Sequence, residues 1–256
     1  MQNMGRKRAW RLPNITADGL KMFACIIMFV QSIGITVIEK GIIHLDQYTQ
    51  SELSQALADD SRLMVWAGIG SAMQLIGGLA VPIFAYLLVE GFRNTSNFRR
   101  YLQSVLIFAL ASEIPYDLAN SQKLVDWSSQ NALLTTGICL IMLYFLDMFK
   151  DKKGITYYIA KLTIIFCAIL WVSVFRSAYG LCMVLLVADF YLLYDRSVIK
   201  TILGMIASLL YVTGPLSFYG IWFYDKERKD RLPKYVYYAF YPLHLLVLGI
   251  ITKFIL

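Results

Sequence analysis

Charge is scarce in this chain. Only 16% of its 256 residues are Asp, Glu, Lys or Arg, against about 25% in an average soluble domain. Histidine is scarcer still: His44 and His244 are the only two, which excludes a multi-histidine metal centre. The four cysteines, Cys25, Cys139, Cys167 and Cys182, all lie inside apolar runs with no C-x-x-C spacing. Neither a disulfide framework nor a zinc site is expected, and no metal is assigned. There is no internal repeat, no low-complexity tract and no linker long enough to separate domains, so residues 1–256 read as a single domain. The first apolar block, from about Leu20, lacks a small-residue cleavage site and is expected to remain as a spanning helix.

What the chain does have is apolar length. It is 58% hydrophobic with a mean hydropathy of +0.58. Its apolar residues come in blocks of about twenty, enough to cross a hydrocarbon core of about 30 Å. A membrane β-barrel would show short alternating segments instead. The expected fold is all-α: a polytopic helical membrane protein with about eight transmembrane helices in one bundle. The blocks run over residues 20–38, 64–89, 101–118, 131–149, 155–175, 178–194, 199–223 and 235–255. The second contains GIG, GG and Pro82, and the seventh contains Thr213-Gly214-Pro215; both are candidates for broken or re-entrant helices.

The net charge of +7 needs no nucleic-acid partner, because the basic residues cluster in short segments between the apolar blocks. MQNMGRKRAWR, RNTSNFRR, DMFKDKKG and DRSVIK alternate as expected for a cytoplasmic N-terminus. The loop after the first block holds Glu39, Asp46, Glu52, Asp59 and Asp60 against Lys40 and Arg62, and belongs outside. One segment disagrees. DKERKDRLPK, residues 225–234, is basic yet falls outside if all eight blocks span, so either the second or seventh block does not span simply or local packing overrides the rule.

Ionisable residues inside apolar blocks cost at least about 2.5–3.5 kcal/mol each at the bilayer centre, and so mark candidate sites. In SEIPYDL, Glu113 and Asp117 are spaced i, i+4 on one helical face around Pro115. They form either a polar cavity wall or a helix end plus an interhelical bond. Glu90 is positioned to pair with Arg93 or Arg100. His244 is either a general base, given a reference pKa near 6.5, or a structural hydrogen-bonder. Lys161 is expected to snorkel. For Asp189 a buried partner and an interface position both remain open.

Several stretches resemble the TraX family of membrane proteins associated with N-terminal acetylation of conjugative pilin. The longest is GGLAVPIFAYLLVEGFRNTSNFRRYLQSVLIFALASEIPYDLA, residues 77–119, similar to the family's G-R-x-A-F-P-I-F-A-F-x-L-V-E-G-F-x-H-T run and the S-E-I-P-x-D-L that follows. LKMFACIIMFVQSIG, RSAYGLCMVLLV and LPKYVYYAFYPLHLLVLGII resemble further family segments, in order. The departures are specific. The family's Asp-His in the first span is Gln31-Ser32, and its arginines are Gly78 and Ser104. The histidine of G-F-x-H-T is Asn94, and the aspartate before Tyr-Gly is Ala178.

The resemblance implies a membrane O- or N-acetyltransferase that takes acetyl from acetyl-CoA to an amine or hydroxyl, such as a peptide, pilin N-terminus or glycan, in the inner membrane of a bacterial-type cell. It implies catalytic roles for His244 as base and Glu113. Substrate contacts fall to Asp117, Glu90, Gln31, Ser32 and Asn94. Arg99 and Arg100 would attract the CoA phosphates. Loss of the Asp-His pair raises an alternative, a catalytically silent relative that serves as a membrane binding or assembly subunit. A transporter is a weaker third reading, since paired inverted halves are lacking.

Overall fold

The computed structural model describes residues 15–152, 154–224 and 233–255. Among these every named element is helical, and the only extended pairings are two isolated bridges, Ile15 with Tyr224 and Gln130 with Ser177. Five helices are long and apolar enough to cross a membrane: Ala17–Ile42, Ser61–Asn94, Phe98–Ser121, Ile155–Val174 and Tyr235–Phe254. Three shorter apolar helices, Ala132–Met148, Gly180–Leu192 and Ser197–Ser208, accompany them.

Helix α1 (Ala17–Ser32) begins at Thr16, whose hydroxyl accepts the Gly19 amide. It continues as a wider π-type helix over Ile33–Ile42. A water-facing segment follows. Its short helix α2 (Gln50–Asp59) starts with a capping box between Thr49 and Glu52. Helices α3 (Ser61–Gly77) and α4 (Ala80–Asn94) run almost end to end back along α1, interrupted only at Gly78-Leu79. The expected break in the second block is therefore a short hinge, with the block remaining one span. Close approach at this interface depends on glycine. A Cβ on Gly34 would sit 2.9 Å from Met73, and one on Gly77 would overlap the Gln31 side chain.

Helix α5 (Phe98–Ser121) is capped by Asn97 and runs unbroken through Pro115. Helix α6 (Ala132–Met148), capped by Asn131, returns, and is followed by α7 (Ile155–Val174) and α8 (Gly180–Leu192). The seventh block departs from the eight-span expectation. Helix α9 (Ser197–Ser208) stops, and the chain turns through Thr213-Gly214-Pro215 into the short α10 (Ser217–Trp222). The Trp222 indole then donates to Thr201, one turn into α9, so the pair is a hairpin that returns to the end it entered from. Phe223 accepts the Ile15 amide at 2.9 Å, which fixes that end as the one where α1 begins.

Helix α11 (Lys234–Phe254) lies parallel to α1: Lys21 sits over the Tyr237 ring, Phe29 packs on Phe240, and Thr252 donates to the Thr36 carbonyl. Its most extensive partner is α5, approached closely at Gly249. Most of segment 225–234 lies outside the described residues, as does the basic run over 1–11. Tyr224 and Pro233, the nearest described residues on either side, both sit at the α1-start end, where RNTSNFRR and DRSVIK also lie. Once the seventh block is a hairpin, the disagreement with the charge rule disappears.

The main core is apolar and joins α4, α6 and α8. Phe190, Leu140, Leu143, Leu186 and Val187 are fully buried there, with Phe190 edge-on to Tyr86. Large apolar side chains such as Leu110, Leu162 and Val174 are exposed around the outside, as lipid-facing residues would be.

Candidate functional site

Parallel packing of α1 and α11 puts Ser32 beside the buried His244. Ser32 Oγ lies 3.1 Å from His244 Nε2. His244 is 6% exposed and enclosed by Phe29, Phe240 and Tyr241. Its Nδ1 is 2.7 Å from the Phe240 carbonyl. A carbonyl cannot donate, so Nδ1 carries a proton, and in the neutral form of the ring Nε2 is the acceptor. Gln31 points the other way and accepts the Tyr179 hydroxyl at 2.9 Å. Tyr179 is held in the left-handed region at the start of α8, in a loop tied to α6 because Thr135 donates to the Ala178 carbonyl at 2.8 Å.

Glu113, about two turns before the end of α5, is bonded to the Asn131 amide. Asn131, fully buried, also donates to the Ala109 carbonyl and accepts the Leu133 and Leu134 amides. The other Glu113 oxygen is buried and unpartnered. Next to this pair the Tyr241 hydroxyl accepts the Ala132 amide at 3.2 Å. Tyr241 thereby links the Glu113–Asn131 bond to the face of His244.

Asp117 is 2% exposed and accepts the Asp126 amide at 2.8 Å, closing the loop between α5 and α6. In that loop Asp126 in turn accepts the Ser128 amide, which holds the Asp126 carboxyl below its ordinary value. Glu90 is paired with neither Arg93 nor Arg100. Its backbone carbonyl accepts from the Asn94 amide at 2.8 Å, and its carboxylate faces the same amide. Arg99 and Arg100 are exposed at the start of α5. Lys161 lies 3.9 Å from the Tyr157 ring centre, as a snorkelling residue would.

Two cavities open among these elements. One, of about 490 Å³, runs from Asn94, Thr95 and Ser96 at the α4–α5 turn to the layer formed by Gln31, Tyr179 and Tyr241. Ser32 and His244, one residue after Gln31 and three after Tyr241, are not among its lining residues. The larger, of about 630 Å³, sits at the basic end between Arg93, Lys150, Lys161, Asp147 and Tyr191, and does not reach the histidine. The structure thus brings Ser32 to His244, with Gln31 next to Ser32 on α1 and Glu113 linked to the histidine through Asn131, Ala132 and Tyr241. Asn94 stands at the cavity mouth, Glu90 is one turn deeper on α4, and Asp117, near the end of α5, holds the loop beyond.

A match to the family model described as TraX protein covers residues 16–252. This chain belongs to the TraX family. No curated protein and no solved structure matches it. In this TraX chain the site also includes Tyr179, Tyr241 and Asn131, none of which was singled out from composition or charge. The signal for two of them was present: Tyr179 lies in RSAYGLCMVLLV, and Tyr241 stands three residues before His244 in FYPLH. Among the described residues no cluster of three potential metal ligands occurs.

Proposed function

We propose that this TraX chain is an integral membrane acyltransferase that moves acetyl from acetyl-CoA to an amine or hydroxyl acceptor, such as a peptide or pilin N-terminus or a glycan. The observation that carries the reading is the 490 Å³ cavity lined by Gln31, Tyr179 and Tyr241, the last of which packs on His244. Its size falls in the range of ligand sites, and its few polar groups converge at the closed end. A filled interior would have supported the silent relative instead.

In this reading the basic end is cytoplasmic, in the inner membrane of a bacterial-type cell. Seven crossings and the α9–α10 hairpin replace a simple eight-span bundle. Arg99 and Arg100 attract the CoA phosphates, with Arg93, Lys150 and Lys161 adding positive charge nearby. The neutral His244 ring accepts the proton of the attacking nucleophile at Nε2. The unpartnered Glu113 oxygen receives a hydrogen bond from the acceptor, while Gln31, Tyr179 and Asn94 line the approach.

Titration of the detergent-purified full chain with acetyl-CoA tests this. Micromolar binding, about −8 kcal/mol, together with release of free CoA, is expected. Weaker binding and no release are expected of the double variant Glu113→Gln, His244→Ala. Absence of binding to the unmodified chain would overturn the reading.

A further inference from the structure

The hydroxyl of Ser32 has one proton and two acceptors. The Met28 carbonyl lies 2.9 Å away and His244 Nε2 lies 3.1 Å away. The first contact is ordinary for a helical serine, which commonly bonds the carbonyl four residues back. Ser112 and Ser173 make that bond to Phe108 and Ile169. The second contact is different in kind. His244 Nδ1 is committed as a donor to Phe240, so Nε2 presents a lone pair, and Ser32 is the donor it meets among the described residues. A hydroxyl donating to an imidazole whose far nitrogen is fixed by a third group is the arrangement that activates a serine nucleophile. Here the third group is a backbone carbonyl, which orients the ring without adding a charge.

We infer that Ser32 is a covalent nucleophile, which takes the acyl group from a thioester donor before the acceptor receives it, with His244 as its base. The inference rests on the acyltransferase reading and adds a step to it. His244 Nε2 removes the Ser32 proton as Oγ attacks the thioester carbonyl carbon. The Oγ–C bond forms, the C–S bond breaks, and the thiolate leaves with the proton returned from Nε2. In the second half the acceptor amine or hydroxyl loses its proton to Nε2, attacks the same carbon, and Ser32 leaves as the reprotonated hydroxyl. No oxidant, reductant or metal enters the balance. The 490 Å³ cavity opens at the α4–α5 turn and is lined by Gln31 and Tyr241, which stand one residue before Ser32 and three before His244; a covalent intermediate lets donor and acceptor occupy it in succession.

The test is acid-quenched intact-mass and peptide mapping of the purified full chain after incubation with radiolabelled acetyl-CoA and no acceptor. One acetyl group on Ser32 is expected. Ser32→Ala should lose the label, and Ser173→Ala should keep it. Ser32→Cys should retain it as a thioester, cleaved by hydroxylamine at neutral pH. His244→Ala should slow labelling by about 10²–10⁴-fold. If the unmodified chain consumes acetyl-CoA but carries label elsewhere or nowhere, and Ser32→Ala turns over at the same rate, the covalent step is wrong and direct transfer stands. If acetyl-CoA is neither bound nor consumed, both the step and the acyltransferase reading fall. The Ser32→Cys result guards against misreading an unfolded alanine variant, since a labelled cysteine requires an intact site.

Discussion

The two halves of the bundle are built by different rules. Around α4, α6 and α8 the contacts are apolar and fully buried, from Leu140 and Leu143 to Phe190. Between α1, α5 and α11 the corresponding layer is polar: Gln31 on Tyr179, Ser32 on His244, Glu113 on Asn131. The apolar cluster there is small, centred on Ala119, Tyr241 and Leu245. In a bilayer, apolar contact between helices gains little over contact with lipid, so the first half is held by shape and dispersion. In the second half positions are specified by hydrogen bonds to named partners, with one Glu113 oxygen left over. The first half is a scaffold that fixes α4 and α8. The second is where chemistry can be done, because its groups are desolvated and oriented.

That contrast can be broken most forcefully in the scaffold. Phe190→Ala leaves a void against Tyr86 and Phe218. It is expected to cost about 3 kcal/mol, the low end for phenylalanine truncation, because lipid already supplies an apolar alternative to the unfolded helix. Unfolding in mixed detergent would measure it, and acetyl-CoA affinity per folded molecule should be unchanged. Next comes Asn131→Leu. It removes the α6 cap and leaves Glu113 buried without its donor, for an expected loss of about 2–3 kcal/mol. Unlike Phe190→Ala, this change should also weaken acetyl-CoA binding. An equal effect of both variants on affinity would erase the division.

Smaller effects sharpen it. Tyr179→Phe removes one hydroxyl from Gln31 and should cost about 1 kcal/mol in stability or affinity. Calorimetry and thermal melting together say which. The mildest change is in pH. The Asp126 carboxyl is held low by the Ser128 amide and by the Ser121 and Ser128 hydroxyls. Its contribution is therefore full above the unfolded carboxylate pKa of about 3.9 and fades as pH falls through the lower folded value. Hydrogen exchange at the Ser128 amide should stay slow at pH 5 and speed up only below about 3.9. Speeding up already near pH 5 would contradict that bond.

Much of this was legible in the sequence. Seven of the eight apolar blocks became spans or apolar helices within a few residues, and the hinge in the second was marked by Gly77-Gly78. The seventh was marked too, by Thr213-Gly214-Pro215 and by a basic segment on the wrong side of a simple count. What composition could not supply was pairing. A lipid-facing residue and a core-facing residue are both apolar, so periodicity says little about which face of α1 meets α11. The bond from Ser32 to His244 crosses 212 positions of chain. Asp117 shows the converse: as an acid in an apolar helix it allowed both a cavity wall and a helix end, and it accepts a loop amide near the end of α5.

The α9–α10 hairpin also decides an address. An even number of crossings would leave both ends of the chain in one compartment. In the proposed arrangement of seven crossings the hairpin returns without crossing, so α1 begins at one end of the bundle and α11, parallel to it, finishes at the other. A reporter enzyme joined after Phe254 would work in the compartment where one joined before Ala17 stays silent.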